Sequence, residues 1–253
     1  MKISVITVCR NSQKTIGYTI ESFLRQCYPD KEMILVDGLS TDGTLDVVRS
    51  FGSDAIHISS EADTGIYDAM NKGLRHYAGD AVGFLNSDDA FHTDMSLELI
   101  AQALRSADVA FGDLAMVRDH TSKKVVRFWH CGEFTRRGFH LGWAPPHPTF
   151  YVRRKVVDAV GEFDTRYTIA ADYDFALRAL MKHGFKSHYI PATLVDFQLG
   201  GHSTQRLGST LDCSMQCLRV RQQHFGHWPI DLAFFGRPIR RVGQVLRRTE
   251  ASR

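Results

Sequence analysis

The run ISVITVCRNSQKTIGYTIESFL, residues 3–24, decides the fold. Six apolar or β-favouring residues, Ile3 to Val8, form a short continuous run that suits a strand buried on both faces. Polar residues Cys9 to Gln13 break it. Ile16, Ile20, Phe23 and Leu24 then recur at the spacing of one helix face. The next segments repeat this alternation. Met33–Val36 predicts a second strand, followed by a helix with Leu45 and Val48 inward, capped by Ser40-Thr41-Asp42 and stopped at Gly52. Ala55–Ile58 predicts a third strand; Met70, Leu74 and Tyr77 trace a helix, and Ala81–Leu85 a fourth strand. Single helices between strands imply an α/β fold with a mostly parallel sheet and right-handed crossovers.

Beyond Val109 the pattern is less regular. Val125–Trp129 and Phe150–Val152 read as strands, and WAPPHP, residues 143–148, as a loop. A helix begins near Asp172, with Tyr173, Leu177, Leu180 and Met181 on one face and Gly184 closing it. Phe185–Ile190 and Thr193–Leu199 read as two further strands. From Ser203 the chain is polar and helical, broken at Pro229 and Pro238.

The totals agree with one large domain and a modest appendage. The chain has 253 residues, 43% hydrophobic and 23% charged, which excludes disordered and fibrous classes. The formal net charge is +3, and six arginines against one glutamate fall after residue 236, so no nucleic-acid partner is expected. Five scattered cysteines, without a CxxC pair, fit reduced thiols better than zinc. No run of 18 apolar residues and no leader pattern is present, so a cytoplasmic location is expected.

In open parallel sheets, ligands bind beyond the carboxyl ends of the strands. The second strand ends in Asp37-Gly38, the third is followed by Glu61 and Asp63, and the fourth ends in Asn86-Ser87-Asp88-Asp89. Adjacent carboxylates such as Asp88 and Asp89 repel one another unless a cation lies beside them, which a hard divalent ion would provide; a solvated turn is the competing reading. Asp37 either accepts an N–H of a uracil-like base or shapes the turn. Asp172 either acts as a base or caps its helix. Trp143 could stack on a sugar or pack in the core. His147 could touch phosphate or metal, or serve the loop. Gly200-Gly201-His202 could bring backbone near a diphosphate or form a plain turn.

The strings ISVITVCRNS, ILVDGLSTDGT, DTGIYDAMNKGL, AGDAVGFLNSDD and ADYDFALR occur in an order and spacing that resembles the family 2 glycosyltransferases, the bacterial branch assembling surface polysaccharides and glycolipids. The resemblance covers roughly residues 1–200. It implies a GT-A (Rossmann-like) catalytic domain over 1–202, with a nucleotide-binding half at 1–113 and an acceptor-binding half at 114–202. A helical, basic extension follows at 203–253. It further implies that Asp37 holds the nucleobase with Thr7 and Asp63 lining the same pocket. Asp88 and Asp89 would meet the sugar nucleotide and an Mg²⁺ or Mn²⁺ ion, with His147 a further metal candidate, and Asp172 would be the catalytic base. Asn86 stands where the family's DxD motif has its first Asp, and Ala171 where a Glu usually precedes the base.

The implied activity is inverting transfer of one sugar from a nucleoside diphosphate to a glycan or lipid-linked acceptor. A QxxRW element and membrane helices, which processive members carry, are absent from the sequence. Val242, Val245 and Leu246 beside Arg241, Arg247 and Arg248 suit an anionic membrane surface at the inner face of the plasma membrane, or simply a solvated basic end. Two other classes compete. A sugar nucleotidyltransferase would need a glycine-rich, cationic loop where CRNSQKT stands, and a non-catalytic nucleotide-sugar-binding module would not need Asp172.

Overall fold

The computed structural model describes residues 1–121, 124–200 and 209–226. The N-terminal alternation folds as expected. Strands β1 (Ile3–Cys9), β2 (Lys31–Asp37), β3 (Ile56–Ser60) and β4 (Ala81–Phe84) are linked by helices α1 (Ile16–Leu24), α2 (Thr44–Ser50) and α3 (Ile66–His76). Their pairings, β1 with β2, β1 with β4 and β2 with β3, are all parallel.

The second half adds β5 (Asp89–Phe91), α4 (Ser96–Leu104), β6 (Val109–Val117), β7 (Val125–Trp129), α5 (Arg136–His140), β8 (Tyr151–Arg153), α6 (Arg154–Val160), α7 (Ala171–Leu177), β9 (Ser187–Gln198) and α8 (Ser209–Phe225). One nine-stranded sheet results, in the order β3-β2-β1-β4-β8-β6-β9-β5, with β7 paired to β6. Here the pairing is mixed: β6 and β9 run parallel, whereas β4–β8, β6–β8, β6–β7 and β5–β9 are antiparallel.

The two strands expected over 185–199 are one strand. Its ladder with β6 slips at Pro191-Ala192, since Gly112 pairs with Ile190 and Asp113 with Thr193. A proline has no N–H for the ladder, so the irregularity falls where the sequence places it.

Alternation along β1 separates two cores. Ile6 and Val8 face a cluster built with α3, α6, α7 and α8, whereas Ile3, Val5 and Cys9 face α1, α2 and α4. The string DTGIYDAMNKG supplies α3 and fastens the first side. Asn71 donates to the Phe163 carbonyl at 3.0 Å and accepts from its N–H at 2.8 Å. A Cβ on Gly73 would come within 2.4 Å of Ile6, so only glycine lets α3 lie this close to β1. Within the C-terminal extension, α8 packs Cys217 and Val220 into the same core. Tail residues 227–253, including the Arg-rich segment, lie outside the described residues, as do Gly201 and His202.

Candidate active site

The carboxyl ends of β1, β2 and β4 meet in a crevice cross-linked by its own loops. Ser12 Oγ and Ser87 Oγ join the loops after β1 and β4 at 2.9 Å. The Asn11 N–H donates to Ser40 Oγ at 2.8 Å, and Asn11 Oδ1 accepts from the Thr41 N–H at 2.9 Å. Asp37 ends β2 and is fully buried. Its carboxylate accepts from the Ser40 N–H at 3.1 Å, from Ser60 Oγ at 2.7 Å, and from the Ser40 hydroxyl. Burial and this carboxylate push the Cys9 thiol up, so Cys9 stays a neutral thiol. Asp63 lies against the same turn: a Cβ on Gly38 would meet Asp63 Oδ2 at 2.2 Å. Thr7 is buried inside β1, and its Oγ1 has no hydrogen-bond partner.

The adjacent carboxylates of the fourth loop part ways. Asp89 opens β5 with its side chain fully buried, Oδ2 accepting from Asn86 Nδ2 at 2.9 Å and Oδ1 from the Gln198 N–H at 3.2 Å. Burial first, then the Asp88 charge, push the Asp89 carboxyl well above the usual carboxylate range. Asp89, the expected metal ligand, faces inward here and braces β5 against β9, and Asp88 is the more open of the two carboxylates. Asp88 is half-buried, and its carbonyl lies 2.8 Å from His120 Nε2. Among the described residues no three His, Cys, Asp or Glu side chains gather as a metal cage. One half-buried carboxylate such as Asp88 still fits Mg²⁺ or Mn²⁺, which take most of their ligands from phosphate oxygens and water.

Next to this crevice lies a cavity of about 1190 Å³, with Asn86, His147 and Asp172 among its lining. Asp172 sits in the first turn of α7. Its Oδ1 accepts from the Tyr173 N–H at 2.7 Å and lies 3.2 Å from the Tyr67 hydroxyl, which is also 2.8 Å from the Ile169 carbonyl. The N-cap position of α7 is Ala170, and Asp172, two residues further in, accepts the first-turn N–H of Tyr173, so it also satisfies a helix-start donor. Burial and the Asp172 charge keep the Tyr67 phenol protonated by raising its pKa.

Asp174, two residues on, is 1% exposed and pairs with Arg178 and His224, each at 2.7 Å. It ties α8 to α7. Trp143 is buried and also borders the cavity: its indole N–H donates to the Cys131 carbonyl at 2.8 Å, and its ring packs on Phe111, Phe134 and Phe139. His147 stacks on Phe84 with ring centroids 5.2 Å apart. Burial lowers its basicity and the Asp172 charge opposes this. Its Nε2 is buried without a partner.

Sequence reasoning missed several cavity residues. Tyr67 sat in the recognised DTGIYDAMNKG string, which could have marked it. Arg127 on β7, His130 just after it, and Gln216 and Arg219 on α8 carry no local signal, because only the fold brings them to one cavity.

A mixed sheet whose four N-terminal strands run parallel, with carboxylates at their ends beside a cavity that holds another, is the layout of a GT-A glycosyltransferase. The family model described as Glycosyl transferase family 2 matches residues 4–161, and the chain belongs to that family. It is similar to the PGL/p-HBAD biosynthesis glycosyltransferase of Mycobacterium bovis, 28% identical over 79% of this chain and 78% of that protein. Two solved structures share the fold. Residues 1–349 of TarS from S. aureus, in complex with UDP, match at TM-score 0.68 and 20% identity, over 99% of this chain and 72% of that one. The mannosyltransferase PcManGT from Pyrobaculum calidifontis, in complex with GDP-Man and Mn2+, matches at TM-score 0.66 and 17% identity, over 97% and 69%. Among the described residues, no helix is long and apolar enough to cross a membrane.

Proposed function

We propose that this enzyme moves a single sugar from a nucleoside diphosphate, UDP being favoured, to a hydroxyl of a glycan or lipid-linked acceptor. Asp172 is the general base and the anomeric configuration inverts. The observation that carries this reading is the division of labour in the first turn of α7. Asp174 is consumed by Arg178 and His224, whereas Asp172 lies on the cavity wall with Tyr67 beside its Oδ1.

In this reading residues 1–113 hold the donor and residues 114–202 shape the acceptor side. Asp37, with Thr7 and Asp63 near it, receives the nucleobase, and Asp88 faces the diphosphate. A bound Mg²⁺ or Mn²⁺ held by Asp88 would neutralise charge on the departing diphosphate. Support for a divalent ion comes from the Mn2+ complex of PcManGT, and for UDP from the TarS complex. The acceptor hydroxyl enters the cavity and attacks the anomeric carbon opposite the leaving group while its proton passes to Asp172. Direct displacement with one base inverts that carbon. Work at the cytoplasmic face of the membrane, with the Arg-rich tail against anionic lipid, completes the proposal.

Asp172→Asn is the test. Release of nucleoside diphosphate should fall by about 10²–10⁴-fold while donor affinity stays near wild type. Wild-type turnover would remove Asp172 as the base. For the ion, UDP is titrated calorimetrically in Mn²⁺ and again in EDTA; equal affinity in both would remove the metal.

A further inference from the structure

Leu39 is held where a leucine is costly. It sits between buried Asp37 and Ser40 at the carboxyl edge of β2, with a φ of +55° and a side chain that leaves the residue 50% exposed. A Cβ in this left-handed region crowds the following carbonyl, a cost that glycine escapes. Exposing a large apolar side chain adds no compensating burial. Nothing local relaxes the strain, because the loop is fixed on both sides: the Ser40 N–H donates to Asp37, and Ser40 Oγ and the Thr41 N–H are bound by Asn11. Gly38 next door is fixed too, its N–H donating to the Cys9 carbonyl at 2.9 Å while Asp63 occupies its side-chain space. The facing Asn11 shares the left-handed conformation, with φ of +52°. Asn tolerates that conformation and uses its amide here; Leu has no polar group with which to do so.

Strain that the surroundings over-determine, combined with an exposed apolar group at a ligand-binding edge, marks a residue kept for what it contacts. We propose that Leu39 is the apolar lip of the nucleobase site. Its side chain covers one face of the base of a nucleoside diphosphate while Asp37 stands at the base's polar edge. This rests on the reading of the Asp37 crevice as the nucleobase site. An aliphatic side chain packs on the π-face of any base, so Leu39 sets affinity, and the choice among bases is left to hydrogen bonds at the edge.

The test uses the full chain with UDP and GDP as probes in Mn²⁺. Leu39→Gly removes strain and side chain together, so its two effects carry opposite signs. The melting temperature should equal that of the wild type or exceed it by up to about 4 °C. Calorimetric affinity for the tighter of the two probes should fall about tenfold. Leu39→Met keeps an apolar side chain and should bind within about twofold of wild type. Unchanged affinity in Leu39→Gly overturns the inference, as does a lower melting temperature, which would make Leu39 part of the fold. Equal weakening in Leu39→Met also overturns it. Asp37→Ala separates this outcome from failure of the underlying reading. If Asp37→Ala binds both probes as wild type does, the crevice is not the nucleobase site and both ideas fall. If Asp37→Ala weakens binding and Leu39→Gly does not, only the lip falls.

Discussion

Asp37 and Asp172 are both carboxylates at the edge of the sheet, yet their surroundings are opposite. Asp37 is buried and saturated, with its oxygens taken by Ser40 and Ser60 within its own crevice. Asp172 holds two donors at Oδ1 and lines a cavity large enough for a substrate. The first region is built from backbone N–H groups and hydroxyls, the second from aromatic rings contributed by distant segments. A saturated carboxylate fixes a shape that a ligand then meets, and a carboxylate at a cavity wall can change its protonation during a reaction. The same side chain is thus saturated by its neighbours in one place and open to a cavity in the other.

Three substitutions sharpen or break that contrast. The largest effect on stability is expected for Asp174→Asn, which leaves Arg178 and His224 without their shared charge. Removing one partner of a buried ionic group costs about 3 kcal/mol, or roughly 10 °C in melting temperature for a chain of this size. Turnover per folded molecule should stay near wild type. Calorimetric melting and activity at a temperature well below the transition check both, and a large loss of turnover with normal melting would move the chemistry to Asp174.

Asp37→Ala comes second. The buried bonds of Asp37 predict a loss of about 2 kcal/mol in stability together with weaker UDP binding. Urea unfolding and calorimetric titration read the two separately. Stability at the wild-type level would mean that water replaces the carboxylate at no cost and that the crevice is less rigid than described.

Asp89→Asn should have the smallest effect. Its amide cannot accept from both Asn86 Nδ2 and the Gln198 N–H, so about 1 kcal/mol of stability is lost. Because the folded-state carboxyl lies above its unfolded value, its contribution is fully present below the unfolded pKa and lost as pH rises through the folded one. The deficit of the variant, measured by urea unfolding from pH 4 to pH 8, should therefore shrink as pH rises. UDP affinity in Mn²⁺ should not change. A clear loss of that affinity would place Asp89 at the metal.

Much of this was legible from local pattern. Parallel strands buried on both faces read as apolar runs, and Ile3–Val8, Met33–Val36 and Ala81–Leu85 each fell within a residue or two of the observed strand. The separation of Asp172 from Asp174 followed from helix geometry, since residues two apart face different directions. Helix α4 was overlooked although Leu97, Ile100, Ala101 and Leu104 line one face; its signal was present. Helix α6, seven residues long, is too short for periodicity to define. Other features had no local signal. The parallel pairing of β6 with β9 joins segments far apart in sequence, and α8 reaches the cavity through contacts with α7 and the Ile169 loop. Asp88 and Asp89 look alike as letters, and only the β5–β9 ladder turns one of them inward.

That ladder also fixes an order of events during synthesis. Strand β5 pairs with β9 and with no other strand of the described sheet, and β9 ends at Gln198. The four parallel strands nearest the N-terminus can assemble as they leave the ribosome. The three residues of β5, emerging directly after β4, must wait for about a hundred more. At ribosomal speeds this delay is roughly 5–20 s. Through that interval Asp89 has no Gln198 N–H to accept, and the Asn86–Asp89 loop is held only by partners already made, Ser12 at Ser87 and Thr19 at the Asp89 carbonyl, beside an open sheet edge. The loop after β4 is thus among the earliest parts of the chain to be made, and one of its braces is among the last to form.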